Sequence, residues 1–492
     1  MVALVGLEPT RYCYHRILSP ARLPISPQSH LLFLLYHKSY AFSIKTIYKN
    51  YLKCAKISGF VEENMGLALG ISVVIIALMI FMIIKFPKIK LGKFELQTFW
   101  IVPLIGIVVI FILGLIDIDS ALKGLVKNDS VNPIKILILF FSMTFMSIIL
   151  DELGFFEYMA NLALKRCSTN QTKLFFSLYL LTSLLTIFTS NDIIILTFTP
   201  FIVFFTKSAK INPIPYLVSE FVAANTWSMM FIIGNPTNIY LATSFNIGFV
   251  EYFLKMVLPT IASGVTSLTI LYLVFRKELK KEMVIEYHDV HVKSHKLVVS
   301  DVIILGFCTL VLVVSSYIGL EMYIVALSCA LMMLAILILY SIKKHNTVFL
   351  FDGFKRIPWS LAPFLVSMFI IVLTDDHYQI TERIRASFNY SNDIFTYGIS
   401  STLTCNLINN IPMSVLYSSI IPSGNIKALF STIIGSNIGA FLTPIGALAG
   451  IMWLSILKKY NIKYGFLSFI KYGVIVAIPT LLVALLTLLI VL

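Results

Sequence analysis

A chain of 492 residues that is 58% hydrophobic and only 13% charged, with a mean hydropathy of +0.90, fits no soluble globular class and describes a polytopic helical membrane protein. Its formal net charge of +14 therefore bears on membrane orientation rather than on nucleic acid, because cytoplasmic loops collect Lys and Arg. Cysteines at 13, 54, 167, 308, 329 and 405, with no CxxC pair, indicate neither a disulfide framework nor a thiolate metal site and read as small packing residues.

Residues 1–64 differ from the rest, with Pro9, Pro20, Pro24, Pro27, eight Lys or Arg and one apolar run, Leu31 to Tyr36. That run is too short to span. Lys38, Lys45 and the lack of a small-residue cleavage site argue against a signal peptide. The stretch GLEPTRYCYHRILSPARLPISP resembles read-through of a transfer-RNA gene from an upstream start codon, so translation is expected to begin near Met65. A disordered basic tail is the alternative.

Apolar runs of spanning length follow near 66–84, 99–116, 134–150, 214–246 and 250–275. Between the third and fourth, 173–206 carries Thr189-Ser190-Asn191-Asp192 at its middle and reads as a re-entrant hairpin. The second half repeats the order, with spans near 299–317, 322–342, 361–373, 427–457 and 469–491 and a hairpin at 394–421 tipped by Asn409-Asn410. The expected fold is an all-α polytopic membrane protein of two inverted repeats, each with five transmembrane helices, a re-entrant hairpin and a broken helix. The first repeat covers 65–275, a cytoplasmic linker 276–298, and the second repeat 299–492. His288, His291 and His295 lie in that linker, where a solvated loop accounts for them better than a metal site.

Charge tests this layout. Beyond residue 64, seven basic residues fall on the outer side, namely Lys123, Lys127, Lys135, Lys255, Arg383, Arg385 and Lys427. All the others fall on the cytoplasmic side, including Lys85, Lys165, Lys207, Lys281, Lys293, Lys355, Arg356 and Lys458. The first hairpin then enters from the cytoplasm and the second from outside.

Within the fourth span of each half the backbone is interrupted. Ala224-Asn225-Thr226 precedes Gly234-Asn235-Pro236-Thr237-Asn238, and Gly435-Ser436-Asn437-Ile438-Gly439 precedes Thr443-Pro444-Ile445-Gly446. Gly234, Pro236, Pro444 and Gly446 break the helices, and the freed polar groups must line an enclosed cavity. Two broken helices in matching places point to a transporter site. Asp192 is the leading proton carrier, because a carboxylate at membrane depth is kept mainly where it binds a cation or a proton; capping a half-helix is the plainer role. Its counterpart in the second hairpin is read as Asn410. Glu220, about six residues or roughly 9 Å into its span, either relays protons with Asn225 or snorkels to the interface. Ser190, Asn191, Asn225, Asn235, Thr237, Asn238, Asn409, Asn410, Asn437 and Thr443 supply neutral oxygens and amides for a small hydroxylated solute or a weakly held Na⁺. Asp151-Glu152 and Asp375-Asp376 end the third span of each half and are candidate entrance acids. Cys405 lies four residues before Asn409, within reach of a thiophilic solute, although a lone thiol cannot chelate.

Neither GxxxxGK[ST], HExxH nor GxSxG occurs, so no ATP hydrolysis or hydrolase chemistry is expected of this chain, and no metal or other cofactor. No basic residue neighbours either tip or break in sequence, which favours a neutral solute or a cation over an anion.

Several stretches resemble the arsenical pump membrane proteins of the ion transporter superfamily: ILDELGFFEYMA from Ile149, TSND from Thr189, AANTWSMMFIIGNPTNI from Ala223, NIGFVEYFLKMVLP from Asn246, PWS from Pro358, NLINNIPMSVL from Asn406 and TPIGALAGIMWLSIL from Thr443. The resemblance covers 65–492. It implies a multi-pass plasma-membrane exporter of arsenite or antimonite hydroxides driven by proton exchange, and in some members a soluble arsenite-stimulated ATPase as partner; a homodimer is compatible with it. The GNPTN form at 234 is shared with proton-coupled sodium antiporters and organic-anion carriers, so a Na⁺/H⁺ antiporter stands as the first alternative. A membrane anchor for a cytoplasmic ATPase is the second.

Overall fold

The computed structural model describes residues 64–492 apart from 84, 87, 92–93, 127–131, 168–169, 282, 284–291, 345–347 and 389–391. The expectation for residues 1–63 therefore lies outside the described residues, as do His288 and His291; His295 opens a helix.

The first half holds α1 (Asn64–Ile83), a hairpin of β1 (Lys88–Leu91) and β2 (Phe94–Gln97), α2 (Ile101–Ile112), α3 (Ile118–Val126), α4 (Pro133–Glu152), α5 (Phe155–Cys167), α6 (Gln171–Phe188), α7 (Asn191–Ser208), α8 (Ile214–Trp227), α9 (Pro236–Ser244) and α10 (Phe249–Phe275). The second half runs α11 (His295–Ile318), α12 (Met322–Lys344), α13 (Val348–Arg356), α14 (Leu361–His377), α15 (Ile380–Ala386), α16 (Asp393–Ile408), α17 (Asn410–Ile420), α18 (Ile426–Gly439), α19 (Leu448–Lys459) and α20 (Phe466–Val491). Each helix of the first half thus has a counterpart ten places later. The strands pair antiparallel with Lys88 opposite Gln97 and have no counterpart among the described residues.

Packing repeats as the order does. α6 lies on α8 as α16 lies on α18, and α10 on α8 as α20 on α18. The two halves also exchange partners: α9 packs on the second hairpin's α17, and α19 on the first hairpin's α7. α4 against α12 mirrors α14 against α2. Hairpins and broken helices so form a core, flanked by a frame of α2, α4, α11, α12 and α14.

Local chemistry explains where helices start. Asn170 and Asn392 cap the leading arms of the two hairpins, their side chains accepting from Lys173 N–H and Ile394 N–H. Such caps satisfy amides that the first turn leaves open. Pro236 opens α9 at the position where its missing N–H costs nothing. Close approach of α16 to α18 needs glycine: a Cβ on Gly435 would fall 2.5 Å from the Gly398 carbonyl.

Among the described residues nine helices are long and apolar enough to cross a membrane. The expected span at 99–116 is shorter than read: α2 has 12 residues, about 18 Å at 1.5 Å per residue, against about 30 Å of hydrocarbon. Conversely, both 18-residue arms of the first hairpin reach spanning length, whereas those of the second have 16 and 11 residues. Two ion pairs join residues that the charge reading puts on one side: Lys135 meets Glu321 at 2.6 Å, and Lys293 lies 3.8 Å from Glu152.

Candidate functional site

The first hairpin turns at Thr189-Ser190, and α7 opens at Asn191 with Asp192 in its first turn. Aligning helix starts pairs Asn191 with Asn410 and Asp192 with Ile411, which corrects the expected match of Asp192 to Asn410. Ser190 stands at the cap position with φ −113° and ψ 141° yet makes no cap bond. Its hydroxyl is buried without a partner, as is Oδ1 of Asn191. Nδ2 of Asn191 donates to Asn225 Oδ1 at 3.1 Å. Asp192 has no hydrogen bond or ion pair to any described residue. Buried oxygens normally find a partner, so the Ser190 and Asn191 oxygens, next to the half-buried Asp192 carboxylate, leave hydrogen-bonding capacity that water or a solute can take up.

Ser190 and Asp192 line a cavity of about 540 Å³, walled also by Trp100, Thr144, Trp359 and Lys355 and rimmed by Arg356. The absence of basic residues near the tip in sequence thus does not carry over to space. Arg356 is already engaged: it donates to Glu152 Oε1 at 2.6 Å and to the Asp151 carboxylate. The entrance acids Asp151-Glu152 are therefore held in an ion cluster with Arg356 and Lys293. Among the described residues no cation pairs with their counterparts. Asp375 accepts from Ser72 at 2.7 Å and Asp376 from Thr381 at 2.5 Å.

Glu220 is buried at 1% exposure, not snorkelling. Its carboxylate accepts from Thr199 Oγ1 at 3.0 Å and from Trp453 Nε1 at 3.3 Å, so it ties α8 to α7 and α19. No hydrogen bond joins it to Asn225.

The two helix breaks meet at Asn437. Its Oδ1 accepts from Ser228 Oγ at 2.9 Å and Asn235 Nδ2 at 2.8 Å, and its Nδ2 donates to Asn238 Oδ1 at 2.7 Å. Ser436 donates to Thr237 Oγ1 at 2.9 Å, and Asn238 Nδ2 returns to Ser228 O at 2.8 Å. Gly234 is required in this loop, since a Cβ there would run into the Ser228 carbonyl. Ser228 also donates to Asn225 O at 2.8 Å, which joins the pair Asn191–Asn225 to the Asn437 hub.

At the second tip, Asn409 takes φ 76° and ψ 154°, a conformation that side chains other than glycine rarely adopt. The surroundings hold it there: Asn409 Nδ2 donates to Ile445 O at 3.0 Å, and Asn410 N–H to Gly446 O at 3.0 Å. Asn406 accepts from Thr443 through both N–H (3.0 Å) and Oγ1 (2.6 Å), and its Nδ2 donates to Gly439 O at 2.9 Å. The loop containing Pro444 and Gly446 is thereby bound to the tip. Asn409, Asn410 and Thr443 form one cluster, Asn235, Thr237, Asn238 and Asn437 another, and Ser190, Asn191 and Asp192 a third. Cys405 packs on Thr402 O. Asn406, Ser228 and Ser436 were missed as partners; Asn406 lies one turn before Asn409, and that spacing was the available signal.

A family model described as arsenical pump membrane protein matches residues 71–492. An arsenical pump membrane protein of Escherichia coli is 25% identical over 365 residues, covering 70% of this chain and 84% of that protein. A putative arsenical pump membrane protein of Bacillus subtilis is 26% identical over 365 residues, covering 67% and 81%. Among solved structures, the Alcanivorax borkumensis YdaH transporter superposes with a TM-score of 0.52 at 12% identity, over 86% of this chain and 97% of that one, a likeness of fold.

Proposed function

This chain belongs to the arsenical pump membrane protein family, a multi-pass transporter of the plasma membrane, and from that premise we propose that it exports trivalent arsenic or antimony hydroxides in exchange for protons. The observation that carries the proposal is the first hairpin tip, where Asp192 and the unpartnered Ser190 hydroxyl line the cavity and the buried, unpartnered Asn191 oxygen stands between them in the chain. A neutral trihydroxide offers three O–H donors, and these oxygens are acceptors. Protonating Asp192 removes an acceptor, so solute and proton compete for one tip. Competition of that kind yields exchange when the tip is exposed alternately to each side. Arg356, neutralised by Asp151 and Glu152, adds no net positive charge that would draw an anion in.

The cavity reaches Lys355 and Arg356, assigned to the cytoplasm, while the outer tip is bonded shut through Asn406, Asn409 and Asn410. This supports an inward-facing state. Outward exposure would open the second cluster and close the first, with repeats 65–275 and 299–492 moving their hairpins and broken helices against the frame.

Everted vesicles from cells expressing the full chain test the proposal. Arsenite accumulation that needs an imposed proton gradient, and is absent with Asp192→Asn, is the expected result. Accumulation of Na⁺ alone, driven by the same gradient, would assign the tip to cation exchange instead.

A further inference from the structure

At the end of α4 remote from Arg356, a second cavity of about 360 Å³ opens where frame and core meet. Lys135 of α4, Thr243 of α9, Gly248 at the start of α10, and Glu321 and Tyr323 at the start of α12 line it. Lys135 Nζ lies 2.6 Å from Glu321 Oε2 and 5.5 Å from the centre of the Tyr323 ring. An ammonium has three N–H donors, of which Glu321 takes one. The Thr243 hydroxyl has no partner. α10 starts at Gly248 without a side-chain cap, so its first-turn amides stay open; Glu251 in that turn is exposed and not part of the cavity wall. Donors thus outnumber acceptors here, and a phosphate group is a ligand that completes such a set. Yet Glu321 cancels the Lys135 charge, and a bare anion would enter beside a carboxylate. A ligand bearing both charges suits this wall. The chain on either side of the lining residues is apolar and exposed at Ile134, Tyr317 and Ile318, as expected of a surface that meets lipid.

We propose that this cavity seats the headgroup of a zwitterionic phospholipid, a phosphate ester that carries an ammonium group. The phosphate takes the spare Lys135 donors, the Thr243 hydroxyl and the open amides of α10. The ammonium takes the Glu321 carboxylate and the face of the Tyr323 ring. One ion pair is exchanged for two, and no charge is left over. A headgroup with phosphate alone would set its negative charge against Glu321, which is the basis of selection. Charge reading puts Lys135 on the outer side, so the lipid comes from the outer leaflet. Thr243 and Gly248 belong to the core's broken helix and the turn after it, whereas Lys135, Glu321 and Tyr323 belong to the frame, so an occupied seat ties the two together. None of this depends on what the hairpin tips carry.

The test uses the full chain purified in mild detergent and offered phosphatidylethanolamine and phosphatidylglycerol of equal acyl length and amount, with retained lipid read by native mass spectrometry. Wild type should keep one phosphatidylethanolamine in preference to phosphatidylglycerol. Lys135→Ala removes a charged hydrogen bond and should lower that retention roughly tenfold or more. Glu321→Gln keeps the phosphate contacts and should erase the preference between the two lipids. Thr243→Val should weaken retention with no change in melting temperature, since the hydroxyl it removes bonds nothing in the protein; it decides the matter if Lys135→Ala does not fold. Equal retention of the two lipids by wild type overturns the proposal, as does retention that both Lys135→Ala and Thr243→Val leave unchanged. Free phosphoethanolamine is the last arm: displacement of the lipid at equal concentration would make the occupant a soluble phosphate ester and overturn the lipid assignment.

Discussion

The two hairpins occupy equivalent positions in the repeat and are built for opposite conditions. The first turns through ordinary extended backbone at Ser190 and leaves oxygens unpaired beside a carboxylate. The second turns through Asn409 at φ 76°, and the Pro444 loop takes up its polar groups. In the first, hydrogen-bonding capacity is kept open at the cost of unsatisfied atoms; in the second, it is used to hold a strained turn. The repeat supplies the geometry twice, and the chemistry of the two tips differs: one leaves acceptors open, the other spends its polar groups on the turn.

The largest effect should come from removing the charge that only one tip has. Asp192→Asn keeps shape and is expected to bring gradient-driven arsenite accumulation to the empty-vector level, with the protein still in the membrane. If equivalence of position were sufficient, adding Ile411→Asp to that variant would restore transport. It should not, because the tip at 411 faces bonded loop rather than cavity. Restored accumulation in the double variant would break the comparison.

Opening the closed side comes next. Asn406→Ala removes bonds to Thr443, Gly439 and Thr402. Four bonds at roughly 0.6 kcal/mol each, the average within membrane proteins, amount to about 2 kcal/mol. The purified variant should melt earlier in detergent, and a cysteine placed at Thr443 should become reactive toward a membrane-impermeant maleimide added outside. No change in that reactivity would mean that the loop is closed by packing alone.

The strained turn separates backbone from side chain. Asn409→Gly releases a conformation costing about 1–3 kcal/mol and loses two side-chain bonds, to Ile445 O and from Ile411 N–H, worth about 1 kcal/mol each, so its stability should stay within about 1 kcal/mol of wild type. Asn409→Ala loses both bonds and keeps the strain, and should be the less stable of the two. Equal melting temperatures would show that the positive φ stores nothing.

How much of this was legible beforehand differs by element. The interruptions at Gly234-Asn235-Pro236 and Thr443-Pro444 stand out because polar, helix-breaking residues are rare in apolar segments, and the asymmetric Lys and Arg distribution sets the inversion. α3, α5 and α13 were not read, since helices of 9 to 13 residues carry too little apolar length to register as spans. Arg356 was invisible as a cavity residue for a different reason. It reaches Asp151 across 205 positions, and local sequence carries no record of such a contact. The same holds for Asn437, whose polarity was read but whose role as the joint between the two breaks depends on the fold.

The smallest effect tests whether the open tip is open for a ligand. Ser190 makes no cap bond and its hydroxyl has no partner, so Ser190→Ala should leave the melting temperature where it is. A hydroxyl that bonds the solute contributes about 0.5–1.5 kcal/mol, which corresponds to a roughly two- to tenfold rise in KM for arsenite. Ser190→Thr keeps the hydroxyl and should recover most of that loss. A raised KM with unchanged stability, rescued by threonine, places the solute at the first tip. A lowered melting temperature with unchanged KM would instead make Ser190 a structural residue and leave Asp192 and Asn191 as the tip's functional groups.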